Sequence, residues 1–255
     1  MPSRSRLFVS LLLRSLVIQA SWNYRTMIGA GVGFALLPVL RRTSGRMDQE
    51  GGDPHPENPL VRHVEHFNSH PYLAGVALGA VARMEEEGLP AHAIRRFKTA
   101  IRGPLGSMGD SLIWASWLPT SLLAAAVALL LGAPWWLAVG LFLTGYNMVH
   151  FGLRAWGVNV GLREGPRVAE ALQRADLLGK AERIASIGVL LLGLLTGLLV
   201  ARGLEAGPAA VVGPWIPVAA FLFYLGVRKG AVLWSWTAGA VAVGLVVLGV
   251  LGGVR

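Results

Sequence analysis

Apolar and polar positions divide the 255-residue chain into two regimes. From residue 111 onward, four stretches carry no Asp, Glu, Lys or Arg: 111–153, 184–201, 206–227 and 230–254. Uncharged apolar runs of about 18 residues or more match a helix crossing roughly 30 Å of hydrocarbon. The first run is long enough for two crossings, and Gly132 with Pro134 divides it. The pattern predicts spans near 114–132, 135–153, 184–201 and 231–252. The stretch 207–227 is also apolar, but Pro208, Pro214 and Pro217 predict an unwound or re-entrant start.

Before residue 110 the pattern changes. Residues 1–20 repeat apolar positions at helical spacing around Arg4, Arg6 and Arg14, which predicts a basic amphipathic helix on a membrane surface rather than a cleaved signal. The apolar runs within 20–42 and 71–82 are short for full crossings and suit surface helices or re-entrant hairpins. Residues 43–59 form a polar Gly/Pro-rich loop, and the glutamates of MEEEG (84–88) read as a charged, solvated helix end. The expected fold is an all-α integral membrane protein. Amphipathic and re-entrant helices fill residues 1–110, and four to five transmembrane helices follow in 111–255, around a cytoplasmic loop at 154–183.

Composition agrees. Hydrophobic residues make up 54% and charged residues 15%, well under the quarter usual in soluble domains. The net charge of +9 would suggest nucleic acid as a partner of a soluble protein. Here the bases cluster between apolar runs, at 154–183 and 228–229, where they set membrane orientation. That places the N-terminus in the cytoplasm and the C-terminus outside, and removes nucleic acid from consideration. The absence of cysteine excludes disulfides, thiolate-bound metals and phosphocysteine chemistry.

Three short motifs stand out. GPLGSMGD (103–110) lacks the GK[ST] ending and preceding strand of a phosphate-binding loop. Its local expectation is a turn at Gly103-Pro104 with Asp110 capping a helix that begins at Ser111. Irregular backbone and an ionisable residue beside a span are also how broken-helix transporters build substrate sites. HVEHFNSH (63–70) places His63 and His66 three apart on a possible helix face, but no carboxylate or cysteine completes a metal set. Asn68 and His70 suit helix-terminal hydrogen bonding, and Pro71 ends the segment. ASWNYR (20–25) is a polar-aromatic cluster of the kind that anchors at a membrane interface. Asp110 is the only acidic residue between Glu87 and Glu164, so acid–base catalysis within the spans has few candidates. No cofactor, metal site or catalytic set is expected.

Taken in order, IQASWNYRTMIGAGVGFALLPVLRR, RHVEHFNSHPYLAGVALGAVARMEEE and IRGPLGSMGDSLIWASWLP resemble the IID component of the mannose/fructose/sorbose family of the phosphoenolpyruvate-dependent sugar phosphotransferase system. That family's patterns are Q-x-SWNYERMQ, RHLEFFNTHP and GPLAGIGD-[SP]-IFWGT. Its R-x-x-G-x-x-x-G segment is similar to RAWGVNVGLREG (154–165). The resemblance implies a multi-pass subunit of the bacterial inner membrane, hetero-oligomeric with a IIC subunit. Together they would pass a hexose or hexosamine inward, coupled to phosphorylation by cytoplasmic IIB, itself charged through IIA. The phosphorylated histidines would lie on those soluble partners. Gln19, Ser21, Trp22, Asn23, His63, Asn68, Pro71, Gly103, Pro104, Gly109, Asp110 and Trp114 occupy motif positions and are the expected contacts along the substrate path or with IIC. Three departures bear on function: Arg25-Thr26 replaces the family's Glu-Arg, Ala115-Ser116 replaces Gly-Thr, and the expected outer loop near 203–213 is compressed in a chain shorter than the family's usual length. They keep open an alternative, a regulatory or scaffolding subunit that does not move sugar.

Overall fold

The computed structural model describes residues 4–47 and 58–204, and every regular element among them is helical. The expected apolar segments at 207–227 and 231–252 lie outside the described residues, as does the C-terminus. The chain forms two compact units, Met1–Leu122 with Val139–Gly188, and Leu123–Ala138 with Val189–Arg255.

The first unit begins with α1 (Arg4–Ser15), the amphipathic helix that the spacing predicts. Leu7, Leu11 and Ser15 turn inward with Ile18 beyond the helix end, while Val9, Leu13, Leu16 and Val17 stay exposed. α2 (Gly29–Met47) runs unbroken through Pro38. α3 (Pro59–Val64) is a short helix started by Asn58, whose side chain accepts from Leu60 N–H at 2.9 Å, with Pro59 at the first helical position. α4 (Ala74–Glu86) carries the apolar run 71–82 and is a buried core helix, not a surface one, packed among α1, α2 and α5 (Ala91–Gly109). Its residues from Ala74 to Ala82 are all buried, so a run too short to span a membrane serves as the unit's centre.

α4 ends on Gly88, whose φ of +69° lets Gly88 N–H reach Glu85 O at 3.2 Å and Leu89 N–H reach Met84 O at 3.0 Å. This pair of bonds closes the last helical turn, and Pro90 follows. The same device stops α6 (Leu118–Leu130): Gly132 has φ +95°, Gly132 N–H bonds Leu129 O, and Ala133 N–H bonds Ala128 O. Pro134 then precedes α7 (Trp135–Glu164), so the break expected at 132–134 is present.

The expected turn at Gly103-Pro104 is not. The chain stays helical from Ala91 to Leu130, through α5, a π-helical segment Asp110–Trp117 and α6. The reason is a stripe of inward residues, Ile94, Lys98, Ile101, Leu105 and Gly109, that passes straight through the motif at helical spacing. Burial of that face outweighs the bond Pro104 removes, and Gly103 and Pro104 sit on the exposed side. The wider π-turn is visible where Leu118 N–H reaches Ile113 O, five residues back, and Ser116 Oγ also donates to Ser111 O at 2.8 Å.

Residues 154–183, expected as a loop, are helical instead. They comprise the end of α7, a 3₁₀ turn at Gly165–Arg167, α8 (Val168–Ala175) and the start of α9 (Leu177–Leu204). Asp176 joins the last two in a left-handed conformation, φ +45°. Arg154, the first base of this segment, is 2% exposed rather than solvated. Its guanidinium donates to Ser15 O and, at 2.7 Å, to His150 Nε2.

Four glycines let α4 and the lower part of α7 touch backbone to backbone. A Cβ on Gly79 would lie 2.4 Å from Val158 O, and one on Gly161 would lie 2.3 Å from Val76 O. Gly75 and Gly157 make similar approaches at 3.0 Å. Paired small-xxx-small faces are a common way for helices to associate where lipid offers no hydrophobic drive. The Gly157-x-x-x-Gly161 spacing of the sequence thus meets Gly75-x-x-x-Gly79. Two helical stretches, Ala91–Leu130 and Trp135–Leu199, are long and apolar enough to cross a membrane.

Candidate functional site

The SWNYR segment forms a tight loop after α1. Asn23 Oδ1 accepts from the backbone N–H of Arg25 at 3.0 Å and of Thr26 at 2.9 Å, while its Nδ2 donates to Thr26 Oγ1 at 2.8 Å. Thr26, one of the departures from the family pattern, therefore helps to hold this turn. The loop closes through Met27 N–H to Asn23 O at 2.8 Å. Gln19, Ser21, Trp22 and Asn23 are all exposed, and the Trp22 and Tyr24 rings meet edge to face at 4.8 Å.

This loop is stitched to the HFNSH segment by backbone. Phe67 N–H donates to Thr26 O, and Ile28 N–H donates to Phe67 O, both at 3.1 Å. HFNSH in turn lies along the GPLGSMGD helix. Arg102 donates to His66 O at 3.1 Å and contacts His66 Nδ1 at 3.0 Å. Gly106 faces Ser69 Cα, and Gly109 faces the His70 side chain. The His70 ring also packs edge to face on Trp114 at 5.8 Å and on Tyr72 at 4.9 Å. Three motifs distant in sequence therefore meet around residues 66–70. Of the positions expected to matter, Gln19, Ser21, Trp22, Asn23, Asn68, Gly103, Pro104, Asp110 and Trp114 are exposed, whereas His63, Pro71 and Gly109 are buried. Asp110 does not cap a helix: it continues one in right-handed helical conformation.

Beneath this surface lie Ser69, which the sequence did not single out, and His70, expected there only to hydrogen-bond at a helix end. Ser69 and His70 are 6% and 2% exposed, yet Ser69 Oγ and His70 Nε2 have no partner among the described residues. Tyr72 N–H donates to His70 Nδ1 at 3.2 Å. Burial, helped by the nearby Arg154 and His150, pushes the His70 pKa down to about 4. The ring is therefore neutral near pH 7, and because Nδ1 accepts, Nε2 carries the proton. A hydroxyl and an imidazole N–H thus stand ready for an outside acceptor or donor. Buried polar groups are rarely left so.

The second buried cluster anchors the loop. Arg62 forks onto Glu85 with contacts of 2.9, 2.8 and 2.6 Å, and His63 Nε2 meets Glu85 Oε1 at 2.7 Å. Lys98 donates to Arg62 O. Burial holds His63 below its usual pKa, against the raising effect of its bond to Glu85. Burial alone would raise Glu85, but the bonds from His63 and Arg62 prevail and its pKa is lowered. So MEEEG is not simply a solvated end: Glu85 is buried, and only Glu86 and Glu87 are exposed. Helix α3 stops at Val64, so His63 points inward to Glu85 while His66 points to Arg102 and the two share no face. Among the described residues no three His, Asp or Glu side chains gather as a metal site.

Comparison with known proteins finds relatives along most of the chain. The sequence profile described as "PTS system mannose/fructose/sorbose family IID component" matches residues 4–208. The mannose-specific EIID component of Escherichia coli K12 is 29% identical over 198 residues, which is 72% of this chain and 64% of that protein. The chain thus spans less than two thirds of that relative's length. The sorbose-specific EIID component of Klebsiella pneumoniae is 31% identical over 198 residues, 73% of this chain and 67% of the relative. Among solved structures, a chain in the cryo-EM complex of the mannose transporter ManYZ with microcin E492 superposes with a TM-score of 0.55 at 27% identity. The match covers 77% of this chain and 70% of that one.

Proposed function

Because this chain belongs to the mannose/fructose/sorbose family of phosphotransferase-system IID components, we propose that it is the IID membrane subunit of a sugar permease. In this reading it pairs with a IIC subunit in the bacterial inner membrane. Together they carry a hexose or hexosamine inward while cytoplasmic IIB, charged by IIA, phosphorylates it. The chain itself transfers no phosphate. Its part is to bind, orient and shield.

The observation that carries the proposal is the convergence of SWNYR, HFNSH and GPLGSMGD around residues 66–70, where Ser69 Oγ and His70 Nε2–H are unpaired among the described residues. A sugar presents hydroxyls that both accept and donate, and apolar ring faces that stack on aromatics. Ser69 supplies a hydroxyl, neutral His70 a fixed N–H and exposed Trp114 an indole face. Exposed Asp110 supplies an acceptor nearby in the chain. Because His70 stays uncharged, it donates to a neutral ligand without the desolvation cost of an imidazolium. The exposed Trp22 and Tyr24 fit contact with the IIC partner, since large aromatics on a polar-rimmed surface mark interfaces.

The test is accumulation of phosphorylated sugar in membrane vesicles. These hold this chain, a cognate IIC and the soluble phosphocarriers, and are supplied with mannose, fructose, sorbose or N-acetylgalactosamine in turn. Uptake that needs both membrane subunits supports the proposal. Binding of IIB without uptake of any sugar overturns it in favour of a regulatory subunit.

A further inference from the structure

A second feature is lined by residues outside the three motifs. A cleft of about 460 Å³ opens beside the π-helical segment and is walled by Leu112, Val149, Leu153, Trp156 and Ile184. Ala175, Leu177 and two cations, Lys180 and Arg183, complete its lining. The volume falls within the roughly 300–1,000 Å³ of small-molecule sites, but the walls are too apolar for a sugar. Its position along the chain is informative. Leu112, Val149, Leu153 and Ile184 belong to the uncharged runs 111–153 and 184–201, whereas Trp156, Lys180 and Arg183 stand just beyond their ends. The cleft therefore sits where apolar spans give way to charge, and an interfacial tryptophan marks that level.

We infer that this cleft binds an anionic phospholipid, with acyl chain against the apolar walls and phosphate between Lys180 and Arg183. The charges at the rim are suited to it. Lys180 is exposed and has no carboxylate partner among the described residues. Arg183 contacts Asp176 at 3.0 Å, but both side chains are mostly exposed, 71% and 60%. Such a pair contributes little and exchanges readily for a phosphate. The neighbouring Glu182 is exposed and does not line the cleft. Basic pockets between spans on the cytoplasmic side are the usual seats of anionic headgroups. A zwitterionic lipid would fill the same walls yet offer no net charge to the two cations. The site would hold lipid whether or not the chain moves sugar.

Native mass spectrometry of the purified full-length chain, offered equal amounts of phosphatidylglycerol and phosphatidylethanolamine, tests the assignment. Phosphatidylglycerol should be retained preferentially. Lys180→Gln and Arg183→Gln should each cut that preference about fivefold, the worth of one surface cation toward an anionic lipid. Arg167→Gln, which removes an exposed base outside the cleft, should leave it unchanged. Val149→Phe, or Leu153→Phe should the first fail to fold, narrows the cleft and should lower retention of both lipids with the cations intact. Inorganic phosphate in excess should not displace the bound lipid. Equal retention of the two lipids, an unaltered preference in the Lys180 and Arg183 variants, or loss of lipid to phosphate alone overturns the inference. So does displacement of bound lipid by the membrane partner, which would make the cleft a protein interface.

Discussion

His70 packs directly on Gly109: a Cβ added to Gly109 would lie 2.2 Å from His70 Cβ and 2.4 Å from Cγ. A glycine in the family-like GPLGSMGD motif is thus explained by a histidine in HFNSH, 39 positions earlier. Gly109→Ala must push the His70 ring away or open α5 from the 66–70 segment. Overpacking of this kind costs about 1–3 kcal/mol. Gly106 is the matched control in the same helix, where an added methyl would make only an ordinary contact with Ser69 Cα at 3.8 Å. Gly106→Ala should be neutral or stabilise by up to about 1 kcal/mol through helix propensity. Thermal unfolding in mild detergent should therefore move in opposite directions for the two variants. Equal shifts would show that His70 does not rest on Gly109.

The α4–α7 contact gives a second prediction. Gly79 and Gly161 approach opposing backbone, not flexible side chains, so an added methyl has nothing that can yield cheaply. Gly161→Ala and Gly79→Ala should each lower stability by about 2 kcal/mol. The double variant should cost less than the sum, because the first separation makes room for the second methyl. Additive losses, measured by denaturation of the four proteins of the cycle, would mean that the two glycines act independently.

How much of this was readable beforehand differs by element. The stop at Gly132-Pro134 was legible because its cause is local: a glycine in left-handed conformation followed by a residue that cannot continue a helix. Gly103-Pro104 carries the same residue types yet does not end its helix. There the deciding force is the buried stripe from Ile94 to Gly109, whose partners come from elsewhere in the chain. Glu85 was hidden for a related reason. Three consecutive glutamates look alike until Arg62 and His63 arrive beside only one of them. The meeting of the three motifs was likewise legible as order and spacing, but not as contacts. The unpaired state of Ser69 and His70 depends on what fails to surround them, which no pattern records.

The ion cluster predicts a strong response to loss of one charge. Glu85→Gln leaves Arg62, 3% exposed, without its counter-charge. Breaking a buried pair from one side costs about 3–5 kcal/mol. Glu86→Gln removes an exposed carboxylate whose contact with Arg42 is long, 3.8 Å, and should change stability by no more than about 0.5 kcal/mol. Similar unfolding temperatures for the two variants would place Glu85 in solvent.

Acid should weaken the fold before it reaches the carboxylate range. His63 and His70 both have folded pKa values below the ordinary 6.5, chiefly through burial. The unfolded chain therefore takes up protons first as pH falls. Their contribution is complete above about pH 6.5 and is lost on acidification, down to about pH 4 for His70. Glu85, with a pKa lowered from 4.5, adds its loss only below that value. The melting temperature should fall between pH 7.5 and pH 5, and His70→Gln should flatten part of that slope. A pH-independent melting temperature across this interval would mean that neither histidine is held neutral by burial.

A substitution at Asp110 tests folding and the proposed transport role separately. It begins the π-helical segment but caps nothing, its backbone is ordinary right-handed helix, and its side chain is exposed. Asp110→Asn should therefore leave membrane insertion intact and alter stability by no more than about 0.5 kcal/mol. Uptake is another matter if the carboxylate accepts a sugar hydroxyl beside Trp114 and His70. A hydrogen bond to a charged group is worth about 1.5–3 kcal/mol, so its loss should reduce sugar uptake with phosphorylation about tenfold or more. The decrease should appear with the IIC partner and phosphocarriers present and with equal amounts of both variants in the vesicles. His70→Gln should show a similar defect, because a glutamine reproduces neither the position nor the rigidity of the imidazole N–H. Wild-type uptake by Asp110→Asn would reduce that residue to a solvated helix position. Wild-type uptake by both variants would remove the 66–70 surface from the sugar path.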